Sequence, residues 1–341
     1  MKARVRLPDR KSRVTLREVA ELAGVSEITV SRILRNKGPI AATTRDRVME
    51  AVRSVGYVPN RIAGSLASAD SNLFGVVLPS LSNIVFPEVL RGIHDGLAGC
   101  GIEAVVGVTD YDLDTEEALV RSLLAWKPAA MIITGSVHTE ATRRMLDQSG
   151  VRIAELMDID PTPIDIAVGL SHRQAGLDTA RHLRTRGYRH FGYIGHDSKA
   201  DHRARARYEG LVAGLAEAGL RLEAEVLFDG QSSTQNGSAM TAELIARAPD
   251  VDVAVYSNDD MAVGGVFHCM CAGLKIPSDL AIFGFNGLDI GRALPQPLST
   301  IRSNRFLIGK TAVQEIFKSP IRPDTRTVIN TGYEIFEGAT A

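Results

Sequence analysis

Between Asn72 and Phe285, short apolar runs alternate with segments of helical period, and the whole pattern occurs twice. Asn72–Leu78, Ile102–Val108, Ala130–Thr134 and Ile153–Met157 read as strands, with helices predicted over Val85–Leu97, Thr115–Trp126 and Thr139–Ser149. The rhythm restarts with a helix over Gln174–Arg186. Strands at Phe191–Ile194, Glu225–Phe228, Val253–Tyr256 and Leu280–Phe285 then alternate with helices over Arg205–Ala218, Ser238–Ala248 and Met261–Ala272. Strands joined through helices run parallel, and the helices cover both sheet faces. Two such runs predict an α/β body of two similar, doubly wound parallel-sheet subdomains. In these sheets ligands bind beyond the carboxyl ends of the strands, so the cleft between the subdomains is the expected site.

Ahead of this body lies a small segment of a different kind. Leu16, Val19, Ala20 and Ala23 recur at the spacing of one helix face. Gly24 breaks that helix, because glycine accepts the left-handed backbone of a tight reversal. Ser26 can cap a second helix, with Glu27 in its first turn. A third helix, capped by Thr43 or Thr44, carries Val48, Val52 and Val55 and stops at Gly56. Two short helices around a glycine turn form a helix-turn-helix, whose second helix fits the DNA major groove.

Charge divides the chain in the same place. Residues 1–61 hold 14 Lys and Arg against 6 Asp and Glu, whereas the remaining residues hold 25 against 34. A basic head on an acidic body suits a phosphate-binding end and a body repelled by nucleic acid. Lys2, Arg4, Arg6, Arg10, Lys11 and Arg13 read either as a solvated tail or as added phosphate contacts. No apolar run approaches the ~20 residues that span a bilayer, and no signal-peptide pattern opens the chain, so no membrane partner and a cytoplasmic location are expected. Three cysteines make no disulfide framework. His268-Cys269-Met270-Cys271 reads as buried helix rather than as a metal site, so no metal and no cofactor are expected. The chain carries no P-loop, no Gly-x-Ser-x-Gly, no His-Glu-x-x-His and no Rossmann fingerprint, so it is not read as an enzyme.

Thr15–Ala20, Val30-Ser31-Arg32, Tyr57–Arg61 and Leu66-Ala67 resemble the head and hinge of the lactose-repressor (LacI/GalR) family. Ser257–Ala262 and Ile282–Phe285 resemble its body. Val77–Asn83, Val89–Ile93, Glu155–Asp158, Asp165–Gly169 and Asp289-Ile290-Gly291 look closest to the gluconate-operon repressor branch. The resemblance implies a helix-turn-helix domain over residues 1–59, a hinge over 60–71, and a periplasmic-binding-protein-like effector and dimerisation domain over 72–341. It also implies a homodimer, with a tetramer possible, on near-palindromic operator DNA.

By position in the family motifs, Glu27 and Ile28 are implied to read bases: Glu27 by accepting from a cytosine amino group, Ile28 by touching a thymine methyl. Thr15, Ser26, Thr29, Ser31, Arg32, Arg35, Asn60 and Ala63 are implied as further DNA contacts. Leu66 is implied as a wedge in the minor groove. In the body the resemblance implies Arg207 as the main effector-binding residue, with Asp158, Asn258 and Asn286 as polar contacts and Phe86 as a wall. Asp259 is expected to cement its turn.

Many sugar-binding members have an aspartate where this chain has Asn286. An amide keeps the hydrogen bonds without the charge that would repel an acid. With Arg207, and Lys199 or Arg203 nearby in sequence, this favours an anionic sugar acid as effector. The expected function is therefore a repressor of sugar-acid utilisation genes, released from its operator by gluconate or a close relative. The alternatives are a regulator of the same family responding to a neutral sugar or another small molecule, and a transport-type sugar-binding protein.

Overall fold

A computed structural model describes residues 14–34, 38–58, 71–196, 201–228, 230, 232–318 and 326–341. Arg35, Asn60, Ala63, Leu66 and Lys199 lie outside the described residues. The chain divides into two compact units meeting between Ala69 and Asp70.

The first unit holds α1 (Leu16–Ala23), α2 (Glu27–Leu34) and α3 (Ala42–Val55). Thr15 caps α1 in a reciprocal box with Glu18, and Gly24 ends it at φ +62°. The Ser26 hydroxyl accepts from the Thr29 amide at 3.2 Å and opens α2. The cap expected from Thr43 or Thr44 is absent. The residue before α3 is Ala41, which makes no side-chain cap, so both threonines sit inside the first turn. Val19, Ala23, Val30, Ile33 and Val48 close a small core in which three helix faces bury one another.

The second unit contains two six-stranded sheets. In the first, β1 (Leu73–Leu78), β2 (Glu103–Val108), β3 (Ala130–Thr134), β4 (Arg152–Asp158) and β5 (Ile166–Leu170) join β11 (Thr327–Asn330) in the order β11-β5-β4-β3-β1-β2. In the second, β6 (Phe191–His196), β7 (Leu222–Phe228), β8 (Val253–Tyr256), β9 (Ala281–Asn286), β10 (Ser299–Ser303) and β12 (Tyr333–Phe336) run β12-β10-β9-β8-β6-β7. All pairings are parallel except β10 with β12. The helices are α4 (Val85–Leu97), α5 (Leu113–Leu124), α6 (Glu140–Asp147), α7 (His172–Thr185), α8 (His202–Ala216), α9 (Thr234–Arg247), α10 (Asp259–Ala272), α11 (Asp289–Arg292) and α12 (Arg305–Lys318).

The sequence pattern missed β5 and everything after β9. The chain leaves the first sheet after β5, and α7 packs on α8 of the second subdomain. It leaves the second sheet after β10, and α12 packs back on α4. A third crossing joins β11 to β12. The two crossing helices approach their partners at glycines. A Cβ on Gly176 of α7 would overlap the Arg207 carbonyl oxygen, and one on Gly210 of α8 would overlap that of Arg173. Gly92 of α4 and Gly309 of α12 meet the backbones of Phe306 and Val89 in the same way.

Two smaller expectations fail. Trp126 lies beyond the end of α5 and is 53% exposed. Of the two helix thiols expected to be buried, Cys269 is and Cys271 is not, because neighbours two apart in a helix point to different sides. Among the described residues no helix is long and apolar enough to cross a membrane, and no cluster of His, Cys, Asp or Glu has the grouping to hold a metal ion.

Candidate effector cleft and DNA-reading face

On the head, Val30 and Ile33 bury one side of α2, which leaves Glu27, Ile28 and Arg32 exposed on the other, with Thr29 and Ser31 half-buried. Ile28 is 68% exposed, a large apolar side chain offered to solvent by a helix that has a core to bury it in. Thr15 and Ser26 are already engaged as caps, and the Ser26 and Thr29 hydroxyls lie 2.9 Å apart.

In the body, the strand ends bring together part of the expected site. Arg207, on the second turn of α8, has its guanidinium carbon 4.0 Å from the centroid of the Phe285 ring at the end of β9. Its Nη1 donates to His172 Nδ1 at 3.0 Å and its Nη2 to the Ser257 carbonyl at 3.1 Å. Among the described residues no carboxylate lies at ion-pair distance from it. Arg203, one turn earlier, lies over the buried Phe86 ring at 5.5 Å and reaches Asp201 at 3.6 Å. Burial pushes the Asp201 carboxyl up, but the charges of Arg203 and Arg207 outweigh this and hold it down to about 2. Asp201 also accepts from the amides of Arg203 and Ala204 and so fixes the start of α8.

On the facing subdomain Asp158, 6% exposed, accepts from the Ser136 hydroxyl at 3.0 Å and the Asp160 amide at 3.1 Å. Burial raises its pKa. Asp158, Arg203, Asp201, Ser136, Thr134 and Tyr111 border one narrow cavity of about 60 Å³. The Thr134 hydroxyl there is buried without a partner among the described residues. Arg207, Phe285 and Ser257 border a second, of about 20 Å³.

The other expected contacts are divided. Both ends of the Asn258 amide are occupied: Oδ1 accepts from Met261 N at 3.0 Å and Nδ2 donates to Ser232 at 2.8 Å. Asn286 differs, because only its main-chain carbonyl is engaged, by Arg305, and its half-buried amide bonds to no described residue. Asp259 is fully buried and accepts from Leu288 N at 2.6 Å and Thr300 Oγ1 at 2.7 Å, so it ties distant segments together rather than cementing its own turn, which Asn258 caps.

A larger cavity, about 510 Å³, lies around the crossing segments and is lined by Arg302, Arg305 and Glu88 among others. Its Arg305 and Arg302 already pair with Glu88 at 2.6 Å and Glu334 at 3.3 Å. Volume therefore favours that cavity, which also holds Arg91 and Arg292, whereas the buried polar groups of Asp158 and Thr134 facing Arg203 and Arg207 favour the cleft. The second criterion reports on chemistry and is the stronger one. Sequence reasoning missed His172, Ser136, Tyr111 and Phe285. The signal for His172 was present in Ser171, which caps α7, but the strand before it went unread.

Comparison with known proteins agrees with this architecture. Residues 15–60 match the bacterial regulatory proteins of the lacI family, and residues 71–332 match the periplasmic binding proteins and sugar binding domain of the LacI family. The chain belongs to the LacI family. This LacI-family chain is 37% identical over 325 residues to the HTH-type transcriptional regulator GntR of Pseudomonas aeruginosa, covering 95% of this chain and 94% of that protein. It is 33% identical to GntR of Escherichia coli K12, over 97% and 99% of the two chains. The crystal structure of a LacI-family regulator from Silicibacter pomeroyi superposes with a TM-score of 0.91 at 42% identity, over 96% of this chain and 99% of that one. The chain is thus a DNA-binding transcriptional regulator with a helix-turn-helix head and a two-subdomain body.

Proposed function

We propose that this regulator is a repressor of sugar-acid utilisation genes, bound as a homodimer to a near-palindromic operator and released when a sugar acid such as gluconate fills the cleft. Its place of action is the cytoplasm and it works by binding, not catalysis. The observation that carries the reading is Arg207. It is a half-buried guanidinium over the Phe285 ring, bonded among the described residues only to a neutral imidazole and a carbonyl, with the Asp201 charge acting on it but forming no ion pair with it. A partly desolvated guanidinium without an ion-pair partner among the described residues favours a carboxylate ligand, which it can grip through a two-pronged contact. Asp158 on the opposite wall suits the far end of such a ligand, since its oxygens accept from hydroxyls and would repel the acid group. Asn286 supports the same orientation with an amide that carries no charge. The kinship with the GntR regulators agrees with gluconate as the first candidate.

On the head, we infer that Glu27 and Ile28 read base edges, while Thr29, Ser31 and Arg32 contact the DNA backbone or guanine. Calorimetric titration with gluconate, 6-phosphogluconate, 2-ketogluconate and glucose tests the effector. Uptake of an acid with no heat from glucose is expected; glucose binding as tightly as gluconate overturns the acid reading.

A further inference from the structure

His172 is the first residue of α7, directly after the chain leaves the first sheet, and it is 2% exposed. Its Nδ1 lies 3.0 Å from Arg207 Nη1 and its Nε2 lies 2.8 Å from the Met157 carbonyl oxygen. A guanidinium can only donate and a carbonyl can only accept, so the two partners dictate one state of the ring: neutral, with the proton on Nε2. Burial, reinforced by the charges of Arg207 and Arg203, lowers its pKa in the same direction. The chain of bonds runs from a residue of the second subdomain, through His172, to the main chain of the first. Met157 ends in a left-handed conformation, φ +77°, and the next residue is Asp158. One imidazole therefore links Arg207 to the strand end that carries the opposite wall of the cleft.

The other half of the body repeats the device with different chemistry. Met157 pairs with Gly169, three residues before His172, and Asn286 pairs with Arg302, three residues before Arg305. Asn286 also has a left-handed backbone, φ +121°, and its carbonyl accepts from Arg305, the first residue of α12. Arg305, however, closes on Glu88 at 2.6 Å, not on a cleft residue. Each crossing helix thus starts with a side chain that holds a strand-end carbonyl, and each is locked four residues later by a glycine contact, Gly176 and Gly309. The His172 tie runs on to a cleft side chain, Arg207, whereas the Arg305 tie runs from the Asn286 main chain to Glu88.

We propose that His172 is the positioning residue that transmits occupancy of Arg207 to the first subdomain, by way of the Met157 peptide and Asp158, while the Arg305–Glu88 tie is a fixed pivot. An acid that draws Arg207 toward itself changes the bond that Arg207 makes to His172, and with it the hold on Met157. The proposal rests on Arg207 holding an acid.

The tautomer is read first, by nitrogen NMR of the ligand-free, full-length protein; the proton on Nε2 is expected, and a proton on Nδ1 overturns the relay. Gluconate is then titrated with and without a palindromic duplex that the protein has enriched from a random pool. His172→Gln keeps a donor toward Met157 and loses the acceptor for Arg207; His172→Asn does the reverse. Both are expected to lower the factor by which gluconate weakens duplex binding by about tenfold, within the usual range of such couplings. His172→Gln should lose more gluconate affinity than His172→Asn. A merely structural histidine lowers Tm in both variants and leaves the factor unchanged, which overturns the relay alone. A wild-type protein that takes up no gluconate overturns the acid reading and the relay together.

Discussion

The guanidinium carbon of Arg207 lies 4.0 Å from the centroid of the Phe285 ring, so this cation of the cleft sits over an aromatic face. Cation–π contacts of a partly desolvated Arg contribute up to about 2 kcal/mol. Arg207→Ala is expected to cost ~2–5 kcal/mol of gluconate binding while the empty protein still binds DNA. Phe285→Leu should cost less, ~1 kcal/mol, with the loss confined to acids. Isothermal titration of each variant checks both; equal losses for gluconate and glucose would remove the stack from acid recognition.

Asn286→Asp replaces an amide that bonds to no described residue by a charge. Two like charges ~4 Å apart at an effective dielectric near 20 repel by about 4 kcal/mol, and solvent at this half-buried position reduces that figure. Acid binding should weaken relative to neutral sugars. Competition between gluconate and glucose measures the ratio directly.

His138 is buried in the first subdomain, with Nδ1 2.7 Å from Glu116 Oε1 and Nε2 3.4 Å from Glu155 Oε1. Burial alone would lower its pKa, but the two carboxylates outweigh burial and raise it to about 9. A raised folded pKa means that the native state holds its proton longer than the unfolded chain. The stabilisation is fully present below pH 6.5 and is lost as pH rises through 9, by roughly 3 kcal/mol. Urea denaturation from pH 6 to 10 should show that decline, and His138→Gln should flatten it. The lowered pKa of His172 acts in a different window: its contribution is lost as pH falls below 6.5.

Gly176→Ala places a methyl group against the Arg207 carbonyl oxygen. Alanine gains up to about 1 kcal/mol of helix propensity, but the contact is with backbone and cannot turn away, and overpacking of this kind costs about 1–3 kcal/mol. A net fall in Tm is expected, together with weaker gluconate binding, because α7 and α8 can no longer approach. An alanine variant with unchanged Tm would show that parting the helices costs no more than the propensity gain.

Ile28→Ala should change base preference at one operator position, by ~1–3 kcal/mol, with the salt dependence of binding unchanged, since no charge is lost. Ser26→Ala should instead weaken the head as a whole by about 1 kcal/mol through loss of the cap on α2. Selection from random duplexes separates the two, because only Ile28 variants should select a different sequence.

The amino-acid sequence alone determined what depends on neighbours along the chain. The period of Leu16–Ala23, the left-handed Gly24 and the cap at Ser26 are local, and they specify a helix-turn-helix without reference to anything distant. The alternation from Asn72 to Phe285 specified parallel sheets in the same way. Tertiary structure decided the rest. β10 reads Ser-Thr-Ile-Arg-Ser and has no apolar run although it is buried, because its hydroxyls are satisfied by distant groups, Ser299 by the Ala341 carbonyl and Thr300 by Asp259. β11 pairs with β5 more than 150 residues earlier, and no local signal reports a partner at that distance. The three crossings of the body arise from those pairings, and they bring His172 between Arg207 and Met157. Hydrogen-bond partners from three separate segments are a property of where the chain crosses, which propensity and periodicity, acting over a few residues, cannot encode.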